Sequence, residues 1–179
     1  MRVYILIIAF SLSLSVNTKA QQLTPVDKES KVSFSIKNFG IATGGTFKGL
    51  QGRINFSPAN LTMASIDVSV DASSVDTDVD SRDNHLRKEE YFNVAKYPRL
   101  SFVSTKIEKS GNSNTYKVYG KLTIKGTTKD INFPFTATPQ ANGYVFSGDF
   151  KVNRRDFNVG GSSFVLGDNV TISLQVSAK

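Results

Sequence analysis

Apolar and polar residues alternate with a period of two along most of the chain after residue 30. In "KVSFSIKNF", for example, Val32, Phe34 and Ile36 share one face, while Ser33 and Ser35 occupy the other. Such alternation is typical of half-buried β-strands. We predict a strand in each of the eight segments that carry it: KVSFSIKNF, FKGLQGRINF, SIDVSVDA, RLSFVSTKIE, TYKVYGKLTIKG, DINFPFTATP, YVFSGDFKV and NVTISLQVSA.

Short turn signals separate these strands, which indicates antiparallel pairing. The clearest are the glycine pair Gly44-Gly45, the run Lys125-Gly126-Thr127 and the pair Asn142-Gly143. Eight antiparallel strands that are each apolar on one face must bury those faces in a sandwich or a barrel. An eight-stranded barrel has room either for a packed core or for one small ligand. The pattern therefore predicts an all-β protein and leaves the filled core and the cavity open.

One charged segment, "DTDVDSRDNHLRKEEYF" at residues 76–92, interrupts the strands. It lacks alternation, and Asp78 or Asp80 could cap a helix start. We predict a short helical insertion near residues 80–92 that closes one end of the barrel, with Leu86 and Phe92 facing inward. The side chains expected to face solvent are Arg82, Lys88, Glu89 and Glu90.

The same segment holds the only histidine of the chain, His85. A zinc site needs three or four ligands in a set geometry, and the aspartates here lack the glycine and glutamate of an EF-hand loop. No nucleophile elbow or phosphate-binding loop occurs in the chain. We therefore predict no catalytic residue, metal or cofactor. His85 is expected to have an architectural role or to contact a ligand head group, with Asp83, a backbone carbonyl or the ligand as its partner.

Residues 1–20 have the pattern of a signal peptide, and residues 21–179 are expected to form a single domain. Arg2 precedes an apolar run that ends before a small-residue cleavage pattern at Ala20, and the run is too short to span a bilayer. The expected location is therefore periplasmic or secreted.

The chain has no cysteine, so disulfides and thiolate chemistry are excluded. Its net charge of +7 comes from scattered lysines, which does not indicate nucleic-acid binding.

Five segments taken together resemble the YceI-like family of exported lipid-binding proteins: VDKESKVSFSIKNFG, GTFKGLQGRINFSP, DASSVDTDVDSRDNHLRKEEYFNVAKYPRLSF, VYGKLTIKGTTKDINFPF and VNRRDFNVG. The resemblance covers Thr24 to Ala178. It implies an eight-stranded, antiparallel, lipocalin-like barrel whose elongated cavity holds a polyisoprenoid or a similar long-chain, fatty-acid-like amphiphile. It also implies an exported protein without catalysis and leaves a homodimer open.

Combining the alternation with this resemblance, we expect fifteen residues to bind the ligand: Phe34, Ile36, Ile66, Val68, His85, Leu86, Phe92, Phe102, Leu122, Ile124, Phe133, Phe135, Phe146, Phe150 and Phe157. Family members often have histidine where this chain has Glu29 and Asn38, and glycine where it has Asn158. The head-group preference is therefore open. The alternatives are an enzyme acting on a lipid or small molecule in the same cavity, and an interaction module with a filled barrel.

Overall fold

The structure, a computed structural model, describes residues 21–111 and 113–179. The predicted signal peptide lies outside these residues. The described chain forms ten strands: β1 (Gln21–Leu23), β2 (Lys31–Asn38), β3 (Ile41–Phe47), β4 (Gln51–Phe56), β5 (Ser65–Asp71), β6 (Arg99–Lys109), β7 (Thr115–Ile124), β8 (Thr127–Gln140), β9 (Gly143–Asn153) and β10 (Leu166–Ala178). The helix α1 spans Asp80–Leu86, and 3-10 helices span Asp27–Glu29, Leu61–Met63, Ala72–Ser74 and Arg154–Phe157.

All ten strands belong to one antiparallel sheet in the order β1-β4-β5-β6-β7-β8-β9-β10-β2-β3. Side chains from every strand between β2 and β10 line one interior cavity, so the sheet is curled into a barrel-like shape. This confirms the all-β, antiparallel, lipocalin-like prediction. The predicted number of eight strands was too low.

The two additional strands are β1 and β3, and the predicted turn at Gly44-Gly45 is wrong. The alternation ends at Ile36, and the chain reverses three residues later at Phe39 and Gly40, which have positive φ angles of 49° and 78°. Positive φ at both central residues is typical of a tight hairpin turn. Gly44 and Gly45 instead lie within β3, opposite Ser35 and Phe34 of β2. A Cβ atom at either position would lie under 3.0 Å from Phe34, so the glycines permit close packing of the two strands.

The edges of the sheet, β1 and β3, are covered by other segments. Asp76 exchanges two backbone hydrogen bonds with Thr46 of β3, at N···O distances of 2.8 and 3.1 Å. At the other end of the barrel, Thr24 exchanges two backbone hydrogen bonds with Lys179 directly after β10. Because β1 pairs with β4, this N-terminal segment connects β4 to β10 and closes that end.

An aromatic cluster fills the closed end. Phe56 is fully buried, and its ring contacts Tyr116, Tyr144 and Phe146 edge-on at centroid distances of 5.1 to 5.3 Å. Edge-to-face pairs of this kind stabilise a packed core beyond the area that they bury. The barrel is thus packed at one end and hollow toward the other.

The helix α1 occupies the predicted position but is shorter, since residues 87–92 form turns and a bend. Its N-cap residue is Val79, with no side-chain hydrogen bond, so the predicted capping by Asp78 or Asp80 is wrong. Within the described part of the chain, no helix is long and apolar enough to cross a bilayer.

Candidate functional site

The interior of the barrel contains two adjoining chambers. The inner chamber has a volume of about 150 Å³ and the outer chamber about 740 Å³. Five residues line both chambers: Phe34, Phe47, Leu100, Ile124 and Ile172. Because these residues are shared, the two chambers adjoin, and together they extend from the aromatic cluster toward α1.

The inner chamber is almost entirely apolar. Among its lining residues, only four serines carry a polar side-chain group: Ser33, Ser69, Ser101 and Ser147. The remaining wall is built from inward-facing Phe, Ile, Leu and Val side chains of the strands, together with Gly148. Such a surface binds apolar groups by excluding water and offers few hydrogen-bond partners to a polar group.

The outer chamber combines an apolar wall with polar residues. Its floor is formed by strand residues such as Ile36 and Val170, and its cover by α1 and residues 157–166. The polar and charged lining residues are Asn38, Thr43, Thr77, Ser81, Arg82, His85, Glu90, Arg154, Ser162 and Ser163. A ligand with one apolar and one polar end could therefore satisfy both parts of the cavity.

All fifteen residues expected to bind a ligand lie on the walls of this cavity. The inner chamber contains Phe34, Ile66, Val68, Phe102, Leu122, Ile124, Phe133, Phe135, Phe146 and Phe150. The outer chamber contains Phe34, Ile36, His85, Leu86, Phe92, Ile124 and Phe157. Their contact with a ligand stays a prediction.

The sequence analysis missed several wall residues. Thr43 and Phe47 belong to β3, of which only Phe47 fell within a predicted strand. Leu100, Val118 and Leu174 lie on the inward faces of predicted strands, so their alternation could have identified them. The cover contributed by residues 161–166 carries no periodic signal, because its position depends on contacts distant in sequence.

Hydrogen bonds to Thr77 hold the segment between β5 and α1 in place. The buried carboxylate of Asp83 accepts hydrogen bonds from the Thr77 amide and hydroxyl groups. Arg82 donates from Nε to Thr77 Oγ1 at 2.8 Å and from Nη2 to the Thr77 carbonyl at 2.6 Å. Arg82 is therefore half-buried on the chamber wall, and its predicted solvent-facing position is wrong. Lys88, Glu89 and Glu90 are exposed as predicted.

His85 lies at the opening of the outer chamber, with 55% of its side chain exposed. Its Nε2 atom is 3.5 Å from Glu90 Oε2, and its ring contacts Tyr91 edge-on at 5.0 Å. Asp83, which was considered as its partner, is instead engaged by Thr77. The charged segment thus has a largely structural role, and His85 keeps more than half of its side chain exposed on the wall of the outer chamber.

Arg154 anchors the cover on the opposite side of the chamber. Its side chain is only 4% exposed. It donates from Nε to the Gly167 carbonyl at 3.0 Å and from Nη1 to the Val159 carbonyl at 2.9 Å. Nη2 lies 2.9 Å from Asp168 Oδ1 as an ion pair, but the two atoms are not aligned as a hydrogen bond.

Replacing Arg154 with Met should lower the free energy of unfolding by about 2–3 kcal/mol, because two carbonyls lose their charged donor. The loss is smaller than for a fully buried ion pair, since Asp168 can be rehydrated. The neighbouring Arg155 is exposed, so Arg155→Met is the matched control and should change stability by less than about 0.5 kcal/mol. Urea unfolding measures both, and equal losses would contradict the anchoring role.

The three positions that differ from the resembled family lie in different parts of the molecule. Asn38 lines the outer chamber. Glu29 lies at the closed end, where the hydrogen bonds from Lys179 and Ser177 lower the pKa of its carboxyl group. Asn158 adopts a left-handed conformation with φ of 57°, which asparagine tolerates better than most residues. Of the three, only Asn38 is on the cavity wall.

Residues 21–111 and 113–179 contain no group of three or more His, Cys, Asp or Glu side chains placed to hold a metal ion. Two charged groups on the chamber wall, the guanidinium groups of Arg82 and Arg154, are instead engaged in hydrogen bonds to backbone carbonyls. The cavity is therefore described by its shape and apolar surface rather than by a reactive cluster.

Comparisons with known proteins agree with this architecture. The sequence pattern of the YceI-like domain family matches residues 23–178. A UPF0312 protein of Yersinia enterocolitica is 34% identical over 146 residues, which cover 75% of this chain and 74% of that protein. The crystal structure of Burkholderia cenocepacia BcnA is similar, with a TM-score of 0.80, 29% identity, and coverage of 85% of this chain and 98% of that one.

A polyisoprenoid binding domain from Saccharophagus degradans has the same fold. Its TM-score is 0.73 at 15% identity, over 90% of this chain and 99% of that one. The match to the family pattern extends over nearly all the described residues. The chain therefore belongs to the YceI-like domain family.

Proposed function

We propose that this chain is an exported, non-catalytic binding protein that holds a polyisoprenoid or another long-chain amphiphilic lipid in its barrel. The observation that carries the proposal is the hollow interior of the barrel, in which an apolar inner chamber adjoins an outer chamber with polar residues. The outer chamber alone falls within the range of about 300–1,000 Å³ that small-molecule sites occupy.

The apolar chain of the lipid would occupy the inner chamber. Each CH₂ group that leaves water contributes about 0.8 kcal/mol, so a chain of many carbons binds tightly without polar contacts. Stacked rings line its path, with Phe133 and Phe150 parallel at a centroid distance of 4.3 Å. The few serine hydroxyls in this chamber favour a hydrocarbon over a polar ligand.

The polar end of the lipid would lie in the outer chamber, beneath α1. His85 has an exposed imidazole there, and Asn38 offers an amide on the facing strand β2. Both can donate or accept hydrogen bonds, so they suit an uncharged oxygen-containing head group as well as a charged one. In this proposal, the contacts that His85 and Asn38 make with the head group determine which lipids the protein prefers.

Three further considerations support the proposal. The Saccharophagus degradans protein is named a polyisoprenoid binding domain, although a likeness at 15% identity concerns the fold alone. The first twenty residues have the pattern of a signal peptide, which is consistent with export. The two arginines of the outer chamber, Arg82 and Arg154, are engaged in structural hydrogen bonds, which favours binding over catalysis.

Mass spectrometry of the protein purified from its native host tests both parts of the proposal. Under native conditions we expect an adduct that organic extraction identifies as a long-chain lipid. Under denaturing conditions the mass should correspond to a chain that begins at or near Gln21. A ligand-free protein, a polar adduct, or turnover of a lipid that depends on a cavity residue would contradict the binding function; an intact Met1 would contradict export.

A further inference from the structure

Four large apolar side chains project into solvent at the rim of the outer chamber. The exposed fraction is 74% for Phe39 and 71% for Ile41, both in the β2–β3 hairpin. Phe164 is fully exposed and Val165 is 39% exposed, directly before β10. We call these four residues the apolar rim. Single exposed apolar residues are common, but a group at the mouth of an apolar cavity indicates an interaction surface.

The two segments of the apolar rim are held together as one unit. The Phe39 amide donates to the Val165 carbonyl at 2.9 Å, and Leu166 pairs with Asn38 in the sheet. The Ser163 hydroxyl accepts hydrogen bonds from the amides of Val165 and Leu166. The projecting side chains therefore rest on an ordered, hydrogen-bonded backbone.

The backbone conformation of Phe39 is energetically unfavourable for an aromatic residue. Its φ of 49° lies in the left-handed region, which glycine and asparagine adopt more readily than an aromatic residue. The side chain is exposed, so burial does not offset this cost. Folding alone therefore gives no reason for a phenylalanine at the tip of this hairpin, whereas contact with an apolar partner does.

The apolar rim is continuous with the cavity wall. Val165 belongs to both, and Leu166 and Asn38, which follow or face rim residues, also line the outer chamber. Apolar surface thus extends from solvent to the interior at the end where the barrel is open. A lipid that enters or leaves the cavity would pass along this path.

The exposed area of the apolar rim favours a lipid bilayer over a second protein subunit as its partner. A phenylalanine buries about 150–250 Å² in a core, so the exposed fractions of the four side chains add up to the order of 500 Å². A stable dimer buries about 800 Å² per subunit. The rim is too small for that purpose, but apolar tips of this size are sufficient to enter the interfacial region of a bilayer.

Charge also favours a bilayer surface. Residues 21–179 contain 20 basic and 15 acidic side chains. In the rim segments, residues 37–42 and 158–168, the charged residues are Lys37 and Asp168, and Asp168 is paired with Arg154. No unpaired carboxylate in these segments would therefore repel an anionic lipid surface.

We propose that the apolar rim inserts into the surface of a lipid bilayer and that the bound lipid moves between membrane and cavity there without crossing water. This inference rests on the proposed lipid-binding function. It assigns the rim to membrane contact and the chambers to lipid retention, so the two roles can be separated by mutation.

The test compares three forms of the chain that begins at Gln21, which the structure describes as one folded sheet. The parent is compared with a Phe39→Ser/Phe164→Ser variant and with a control, Met63→Ser/Val103→Ser. Met63 and Val103 are 64% and 45% exposed, and they are absent from both chamber walls. Each form is sedimented with vesicles of equal parts phosphatidylethanolamine and phosphatidylglycerol, and its bound lipid is measured by extraction.

We expect the rim variant to partition into the vesicle pellet at least about tenfold less than the parent and the control, because two inserting aromatic side chains are lost. Its bound lipid content should equal that of the parent. The single variant Phe164→Ser should show part of this loss of vesicle binding. Because Phe164 is fully exposed, this variant should fold normally and keeps the test valid if the double variant misfolds.

Undiminished partitioning of the rim variant would overturn the inference and leave the proposed function intact. It would also be overturned if the parent avoided vesicles but formed a dimer that the rim substitutions abolished. Absence of lipid from the parent would count against the proposed function instead. That result comes from the lipid extraction, whereas the rim is tested by sedimentation with vesicles.

Discussion

Phe133→Glu is expected to empty the cavity of lipid and to lower the free energy of unfolding by about 3–5 kcal/mol. Phe133 is 6% exposed, stacks on Phe150 and lies 5.7 Å from the ring of Phe102. Glutamate would lose these contacts and leave a carboxylate with few hydrogen-bond donors around it. A buried carboxylate is also a poor neighbour for a hydrocarbon chain, so lipid retention should fall even in molecules that fold.

The matched control is Asn132→Glu, one residue earlier on the same strand. Asn132 is exposed and faces the outside of the sheet, so this variant adds the same charge without changing the cavity. Extraction and quantification of bound lipid, normalised to folded protein, separate the two. The cavity assignment would be wrong if Phe133→Glu folded like the control and still carried the parent's complement of lipid.

Gly52→Ala should destabilise the protein by more than about 3 kcal/mol or prevent it from folding. Gly52 pairs with Val68 in the β4–β5 ladder at a φ of 139°. A Cβ atom there would lie 2.1 Å from the Asp67 carbonyl oxygen and 2.7 Å from the Val68 Cα atom. Both are backbone atoms of a central strand, so neither can move without breaking the sheet.

Gly111→Ala controls for the backbone conformation alone. Gly111 also has a positive φ, of 80°, but among residues 21–111 and 113–179 a Cβ atom there meets no atom within 4 Å outside its chain neighbours. This variant should cost about 1 kcal/mol. Urea unfolding of the two proteins tests the difference. Similar losses would mean that the β4–β5 pair adjusts to the added methyl group and that the close approach is not a requirement of the fold.

The alternation of side chains was sufficient to identify most of the barrel because it directly records which face of a strand is buried. It failed at β3, "IATGGTF", where two glycines resemble a turn. Their actual role is to let β3 approach β2 closely, a property of the paired strands rather than of the segment. Gly52 within "LQGRINF" is a similar case, since only its neighbour across the sheet shows why alanine is unsuitable.

The sequence was sufficient to predict residues of the cavity wall but not residues of its cover. Every aromatic residue expected to bind a ligand lies on a chamber wall, and for those on strands the periodicity determines the orientation. The choice between Arg154 and Arg155 was not predictable. Both occur in one short 3-10 helix, and only the fold shows that Arg154 is buried against Val159 and Gly167 while Arg155 is exposed.

The sequence by itself determined the all-β class, the inward faces of eight strands, the helical insertion and the likeness to the YceI-like family, because each depends on residues close together in the chain. Only the tertiary structure decided that the barrel is hollow rather than filled. Whether side chains from opposite walls meet depends on the curvature of the whole sheet. The same holds for the rim, where Phe39 and Phe164 become neighbours through the pairing of β2 with β10.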